Sequence, residues 1–211
     1  MNKSNQELLD EVAKEIINNL KCQLKDEANN LVFGKGNSNS DILLVGEAPG
    51  NNEDLQGLPF VGKAGKTLDS HLNKIGLTID DVYIANILKY RPPKNRDPKP
   101  DEIENHTPYL IKQIKIINPK FVVTLGNFAT KFIIANGNVK EMKKIYGLDK
   151  LHGNPIQMNF QGLDITLFPI HHPSSIIYNK ERRKWFEEDL YELEILLFGK
   201  NRKKETQKSL I

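Results

Sequence analysis

Several side chains with chemical capacity stand where an ordinary fold has little use for them. Asn86 interrupts the apolar run Tyr83-Ile84-Ala85-Asn86-Ile87-Leu88. An Asn amide offers one acceptor and two donors, so it can pair with an N–H that lies beside a carbonyl. Buried in a strand it must be satisfied, by a ligand or by a neighbouring loop. His172 follows His171 and precedes Pro173, Ser174 and Ser175; an imidazole fixed beside an oxygen that gains negative charge stabilises that charge as a donor. Glu47 and Glu53 flank Pro49-Gly50, and each can serve water chemistry or simply cap a turn or helix. Phe60 sits in the Gly- and Pro-rich stretch Gly57-Leu58-Pro59-Phe60-Val61-Gly62, where its flat face can stack on a planar ring or fill the core. Lys89, Arg91, Lys94 and Arg96 are a basic cluster suited to phosphates, or a plain solvated face.

One pattern imitates another chemistry. Gly57 to Lys63 fits G-x-x-x-x-G-K, the start of a nucleotide-binding loop, but Ala64 stands where a Ser or Thr must hold magnesium. Eleven residues separate Val45 from Gly57, whereas such a loop leaves directly from a buried strand. Pro59 also removes an N–H from the loop that would cradle phosphate. Nucleotide hydrolysis is therefore a distant third reading.

The elements that must position these residues are legible as periodicities. Leu8, Leu9, Val12, Ile16, Ile17 and Leu20 recur at helical spacing, predicting a helix over 5–21. Apolar runs predict buried strands at Ile42 to Val45, Val82 to Leu88, Phe121 to Leu125 and Ile165 to Phe168. Helices are expected at about 63–75, 101–117, 127–135 and 181–198, the second kinked or restarted by Pro108. Alternating strand and helix argue for an α/β fold of three layers, α/β/α, around a mainly parallel four-stranded sheet. The unusual segments follow the first, second and fourth strands, and in open α/β sheets ligands sit in the crevice outside the carboxyl ends.

The chain has 211 residues, net charge +3 and a single cysteine, Cys22. One domain over residues 1–199 is expected, followed by a basic tail, 200–211, that is either merely solvated or helps hold a phosphate backbone. A disulfide framework is excluded, no apolar run is long enough to span a membrane, and no signal peptide is apparent. The expectation is a cytoplasmic, intracellular monomer.

Gly46-Glu47-Ala48-Pro49-Gly50, Gly57-x-Pro59-Phe60-Val61-Gly62-x-Ala64-Gly65, Asn86 with Arg91-Pro92-Pro93-x-Asn95-Arg96, and His172-Pro173-Ser174 occur in that order. Together they resemble the family-four uracil-DNA glycosylases, over about Val32 to Ser175. The resemblance implies an enzyme of base excision repair that flips uracil out of DNA and hydrolyses its N-glycosidic bond. It implies Phe60 as the stacking platform, Asn86 as the reader of uracil N3 and O4, and His172 as the donor to O2. It also implies Glu47 at the uracil and water site and Glu53 near the base edge, with Ala48 among the base-contacting positions. His171 is treated as a loop residue. Ser174 and Ser175, with Arg91, Lys94 and Arg96, are candidates for DNA contact. Ile176 and Ile177 either wedge into the base stack or begin a helix core.

The chain departs from the family in two ways. Ala48 stands where other members of the superfamily carry a general-base Asp, although family-four enzymes also lack it. The family is usually built around an iron–sulfur cluster on four cysteines, and in this register those positions are Asn19, Cys22, Tyr90 and His106. Thiolates hold such clusters, so none is expected, and zinc on Cys22 and His106 would lack ligands. No Arg-Arg-Ile-His run is present, so turnover is expected instead of a covalent bond to DNA. The alternative from another class is a DNA- or damaged-base-binding module of the same fold with little catalysis.

Overall fold

Ile42-Leu43-Leu44-Val45 is buried without alternation, which a strand tolerates only when helices cover both faces of its sheet. The structure, a computed structural model that describes residues 3–199, has that arrangement. Its helices are α1 (Asn5–Asn19), α2 (Gln23–Glu27), α3 (Asn51–Gln56), α4 (Lys63–Lys74), α5 (Pro100–Ile117), α6 (Asn127–Ile134), α7 (Val139–Met142) and α8 (Lys180–Phe198). Its strands are β1 (Lys35–Gly36), β2 (Ile42–Gly46), β3 (Tyr83–Asn86), β4 (Phe121–Leu125), β5 (Ile156–Phe160) and β6 (Leu163–Ile170). The basic tail expected at 200–211 lies outside the described residues.

The α/β class holds, and the sheet is larger than expected, with six strands in the order β1-β3-β2-β4-β6-β5. The four expected strands form its parallel centre, while β1 and β5 pair antiparallel at the edges. β1 is only two residues long and leaves no pattern to read. β5 alternates half-buried Ile156 and Met158 with exposed Gln157 and Asn159, the mark of a strand covered on one side, which a search for continuous apolar runs passes over.

Strand residues sort by parity. Leu43, Val45, Tyr83, Ala85, Val122 and Leu167 pack with Leu9 and Ile16 of α1, Leu110 and Ile114 of α5, and Phe132 of α6. Ile42, Leu44, Ile84, Val123, Phe168 and Ile170 pack on the opposite face with Leu68 and Leu72 of α4 and Phe186 and Leu190 of α8. Pro108 neither ends nor restarts α5, which runs as one helix from Pro100 to Ile117. Pro108 and Glu104, whose carbonyl loses its donor there, are both exposed, so water can take the place of the missing N–H.

Gly57 closes α3 in the left-handed conformation, at φ 70°, and Gly62 opens α4. The stretch that imitates a nucleotide-binding loop therefore connects two helices. Within it Phe60 adopts φ 51°, which a bulky side chain rarely does. Gly65 in the first turn of α4 makes this possible, since a Cβ there would stand 2.0 Å from the Phe60 carbonyl oxygen and 2.2 Å from its carbon. Gly65→Ala must push the backbone of the Phe60 loop outward. A loss of ~1–3 kcal/mol or more is expected, read as a fall of several degrees in thermal midpoint; an unchanged midpoint would mean that the close approach is not needed.

Candidate active site

The loops after β2, β3 and β6 converge outside the carboxyl ends of the strands on a cavity of about 520 Å³. Glu47, Ala48, Glu53, Phe60, Asn86, Arg96, His172 and Ser174 all line it. β2 and β3 run parallel with Gly46 beside Asn86, which brings the Asn86 amide next to the Glu47–Gly50 loop. A Cβ on Gly46 would lie 2.3 Å from Asn86 Oδ1 and 2.9 Å from the Phe60 ring. Glycine is what lets amide and ring meet at this corner.

Asn86 is 2% exposed, and its Oδ1 has no hydrogen-bond partner. A neighbouring loop does not satisfy it. Phe60 is both a core and a cavity residue: it packs with Ile42, Leu44 and Leu68 and lines the cavity 5.8 Å, centroid to centroid, from the His172 ring. Its loop is fixed by Glu53, whose Oε1 accepts from the N–H groups of Val61 at 2.9 Å and Gly62 at 2.7 Å, and by Lys35 Nζ, which donates to the Phe60 carbonyl at 3.1 Å.

His172 Nδ1 accepts from the Ser174 N–H at 3.2 Å and lies 2.8 Å from Ser174 Oγ. A backbone N–H can only donate, so Nδ1 carries the lone pair and the neutral ring bears its proton on Nε2. Burial pushes the His172 pKa down to about 4, opposed by the charge of Glu53. The Ser175 N–H and Oγ both donate to the His172 carbonyl, at 2.9 and 2.8 Å. Both serines thus shape the histidine turn. Glu47 is the other perturbed group: burial, reinforced by Asp97, raises its carboxyl to about 7.

Other expectations are redrawn. Lys89 cannot meet phosphate, because it is 0% exposed. Ile176 is equally buried and belongs to the core with Phe186, while Ile177 is half-buried. His171 is no loose loop residue: it is buried, stacked on Trp185 and 4.7 Å from the ring of His152. Arg91 is tied to Asn51 and Asn95 at the rim, Arg96 pairs with Glu102 through both nitrogens, and Lys94 is exposed. Neither Arg91, Lys94 nor Ser175 lines the cavity. Asn51, Asn52, Lys63, Pro92 and Asn95 do line it; Pro92 and Asn95 belong to the Arg91–Arg96 motif, and Asn51, Asn52 and Lys63 adjoin or fall within the other motifs.

At the positions of the family's iron–sulfur cluster, Tyr90 and His106 are buried with their rings 6.2 Å apart. Cys22 is half-buried and Asn19 exposed at the end of α1. His106 Nδ1 donates to the Glu102 carbonyl at 2.7 Å, which leaves a bare, unpartnered Nε2, and burial lowers this histidine to about 4. Among the described residues no group of three or more His, Cys, Asp or Glu could hold a metal ion. With one thiol and two buried rings, these residues do not fit a four-thiolate cluster.

Comparison with known proteins agrees with the geometry. The profile of the uracil DNA glycosylase superfamily matches residues 33–194. The chain is 42% identical over 193 residues to the Type-4 uracil-DNA glycosylase of Saccharolobus solfataricus, covering 91% of this chain and 88% of that one. It is 41% identical over 183 residues to the Type-4 uracil-DNA glycosylase of Archaeoglobus fulgidus, covering 87% and 90%. The corresponding protein of Thermotoga maritima is 38% identical over 187 residues, covering 88% and 92%. With a profile match over residues 33–194 and 38–42% identity to these relatives across most of its length, the chain belongs to the uracil-DNA glycosylase superfamily.

Proposed function

We propose that this protein is a uracil-DNA glycosylase, acting as a monomer in the cytoplasm through one domain over residues 1–199, and that it excises uracil without an iron–sulfur cluster. The observation that carries this reading is the buried Asn86 amide whose Oδ1 has no partner among the described residues, at the wall of a cavity shared with Phe60 and His172. Among the described residues no helix is long and apolar enough to cross a membrane.

A uracil turned out of the stack lies against Phe60. Asn86 accepts from N3–H and donates to O4, and cytosine, with the opposite order of donor and acceptor, leaves both groups unpaired in a dry site. Breaking the bond to the sugar sends its electron pair into the base and leaves an oxocarbenium-like sugar. The Nε2–H of neutral His172 stabilises the charge that gathers at O2. Ala48 cannot take a proton and Glu53 is engaged with the Phe60 loop. Glu47 is therefore the carboxylate that orients or activates water. At the cavity wall Arg96 and Ser174, and beyond it Arg91, Lys94 and Ser175, meet the DNA strand.

The purified protein should release uracil from an oligonucleotide carrying a single uracil, seen as alkali-labile cleavage, and should leave thymine and cytosine in place. His172→Ala should slow release by ~10²–10³-fold. A folded wild type that binds the strand and cuts nothing would leave only the binding-module reading.

Glu47 has its own signature. Its folded pKa, near 7, lies above the usual 4.5, so its favourable contribution to stability is complete below pH 4.5 and is lost as pH rises through 7. Excision should rise through the same range as the carboxylate ionises. Glu47→Gln should lower the rate by ~10²-fold and flatten that rise, while its thermal midpoint exceeds that of wild type at pH 8 and equals it at pH 4. Equal midpoints at both pH values would contradict the buried carboxyl.

Protein purified without oxygen should carry only trace iron and acid-labile sulfide, and its excision rate should survive chelation. One cluster per chain would reverse this part of the proposal.

A further inference from the structure

The buried lysine behind the cavity has no part in the chemistry described so far. Lys89 Nζ donates to the main-chain carbonyl of Asn86 at 2.7 Å, to the Phe33 carbonyl at 3.5 Å and to Gln113 Oε1. Gln113, itself fully buried in α5, donates to the same Phe33 carbonyl at 3.1 Å. The Lys89 carbonyl accepts from the Val32 N–H at 2.9 Å. Both ends of this residue are therefore bound to the 32–33 segment, and its ammonium joins α5 to the last residue of β3.

Stability alone is a poor reason for a lysine here. No carboxylate is among its three acceptors, and burial draws its pKa down to about 7. A methionine would fill similar space without the cost of desolvating an amine. What methionine cannot supply is a donor to the Asn86 carbonyl. β3 ends at Asn86, and the next two N–H groups, of Ile87 and Leu88, donate to the carbonyls of Gly46 and Glu47. The amide that meets the base thus hangs from backbone held by the Gly46–Glu47 turn on one side and by Lys89 on the other.

We propose that Lys89 is a positioning residue for Asn86: through its bond to the Asn86 carbonyl, and its anchorage on Gln113 of α5, it sets the amide that reads the base. This rests on the reading of the cavity as a uracil site. The role is geometric. A reader of donor and acceptor order works only when the amide stands within a fraction of an ångström of the ring edge, and a displacement of about 1 Å can cost ~10²-fold.

The experiment compares wild type, Lys89→Met, Asn86→Ala and the double variant. Lys89→Met should lower kcat/KM on the uracil oligonucleotide by ~10–10²-fold and raise the inhibition constant of free uracil by a similar factor. Affinity for DNA that already holds an abasic site, where Asn86 has no base to read, should stay within roughly twofold, a factor worth well under 1 kcal/mol. In the Asn86→Ala background, adding Lys89→Met should change excision little, because the lysine acts through the amide. Gln113→Leu, which removes only the tie to α5, should weaken free-uracil inhibition in the same direction by a smaller factor. It gives the answer by itself should Lys89→Met not fold.

A lysine that merely stabilises the fold would lower the thermal midpoint and leave the uracil constant at the wild-type value; that result, or fully multiplicative losses in the double variant, overturns the proposal. A wild type inert toward uracil would instead overturn the function on which it rests, so the two failures are distinct.

Discussion

The site depends on one polar atom kept without a partner. A buried carbonyl oxygen with no donor costs ~1–3 kcal/mol, and folding would ordinarily remove the defect by rotating the amide toward a loop. Asn86 is prevented from doing so by its neighbours. Gly46 occupies the adjoining strand with no side chain to spare, and the edge of Phe60 closes the same corner. Phe60 is itself held at an unfavourable φ by Glu53, Lys35 and the close approach of Gly65. The motifs Gly46 to Gly50 and Gly57 to Gly65, which look separate along the chain, meet at one corner around an Asn86 oxygen that has no partner among the described residues.

Two titratable groups of the same corner are held neutral. Burial holds His172 neutral, with its proton on Nε2, and favours the protonated form of Glu47 until pH is near 7. The guanidinium of Arg96 lines the cavity yet is committed to Glu102, and that of Arg91 is bound to Asn51 and Asn95. Arg91 holds formal positive charge at the rim, while Asn86 and the neutral His172 ring present dipoles to the cavity. A charge that appears only when the glycosidic bond breaks is stabilised more by such a site than the neutral base that enters it, which is the condition for catalysis as opposed to tight binding.

How much of this could be read from the sequence follows from the kind of signal each feature leaves. The four central strands were legible because burial on both faces writes an unbroken apolar run, whereas β1 leaves two residues and β5 a half-exposed alternation. Asn86 and His172 stood out because each breaks the rule of its surroundings. Lys89 was misplaced for the opposite reason: beside Arg91 and Lys94 it conforms to a basic surface, and only the packing of α5 against the end of β3 turns it inward. Pro108 leaves α5 continuous because the cost of a proline inside a helix depends on whether the orphaned carbonyl can meet water, and Glu104 is exposed. His171 and His172 are adjacent in sequence yet belong to different environments, one stacked on Trp185 and the other turned into the cavity.

The residues at the cluster positions lie apart from the cavity. Glu47, Asn86 and His172 hang from the carboxyl ends of β2, β3 and β6, and Phe60 from the loop between α3 and α4, whereas Cys22, Tyr90 and His106 lie where the start of α2, the loop after β3 and α5 meet. The connection between the two regions is the segment from Asn86 to Arg96, and it is fastened to α5 at three heights: Lys89 to Gln113, Tyr90 against His106, and Arg96 to Glu102. A cluster would fix the middle of that segment with metal–thiolate bonds. Here the middle is closed by two buried rings, one with an unsatisfied nitrogen, and the hydrogen-bonded and ionic ties on either side carry the alignment. Holding a loop to a helix is a requirement of geometry, and side chains of several chemistries can meet it; pairing with the edge of a base is a requirement on particular atoms, which leaves Asn86 no substitute.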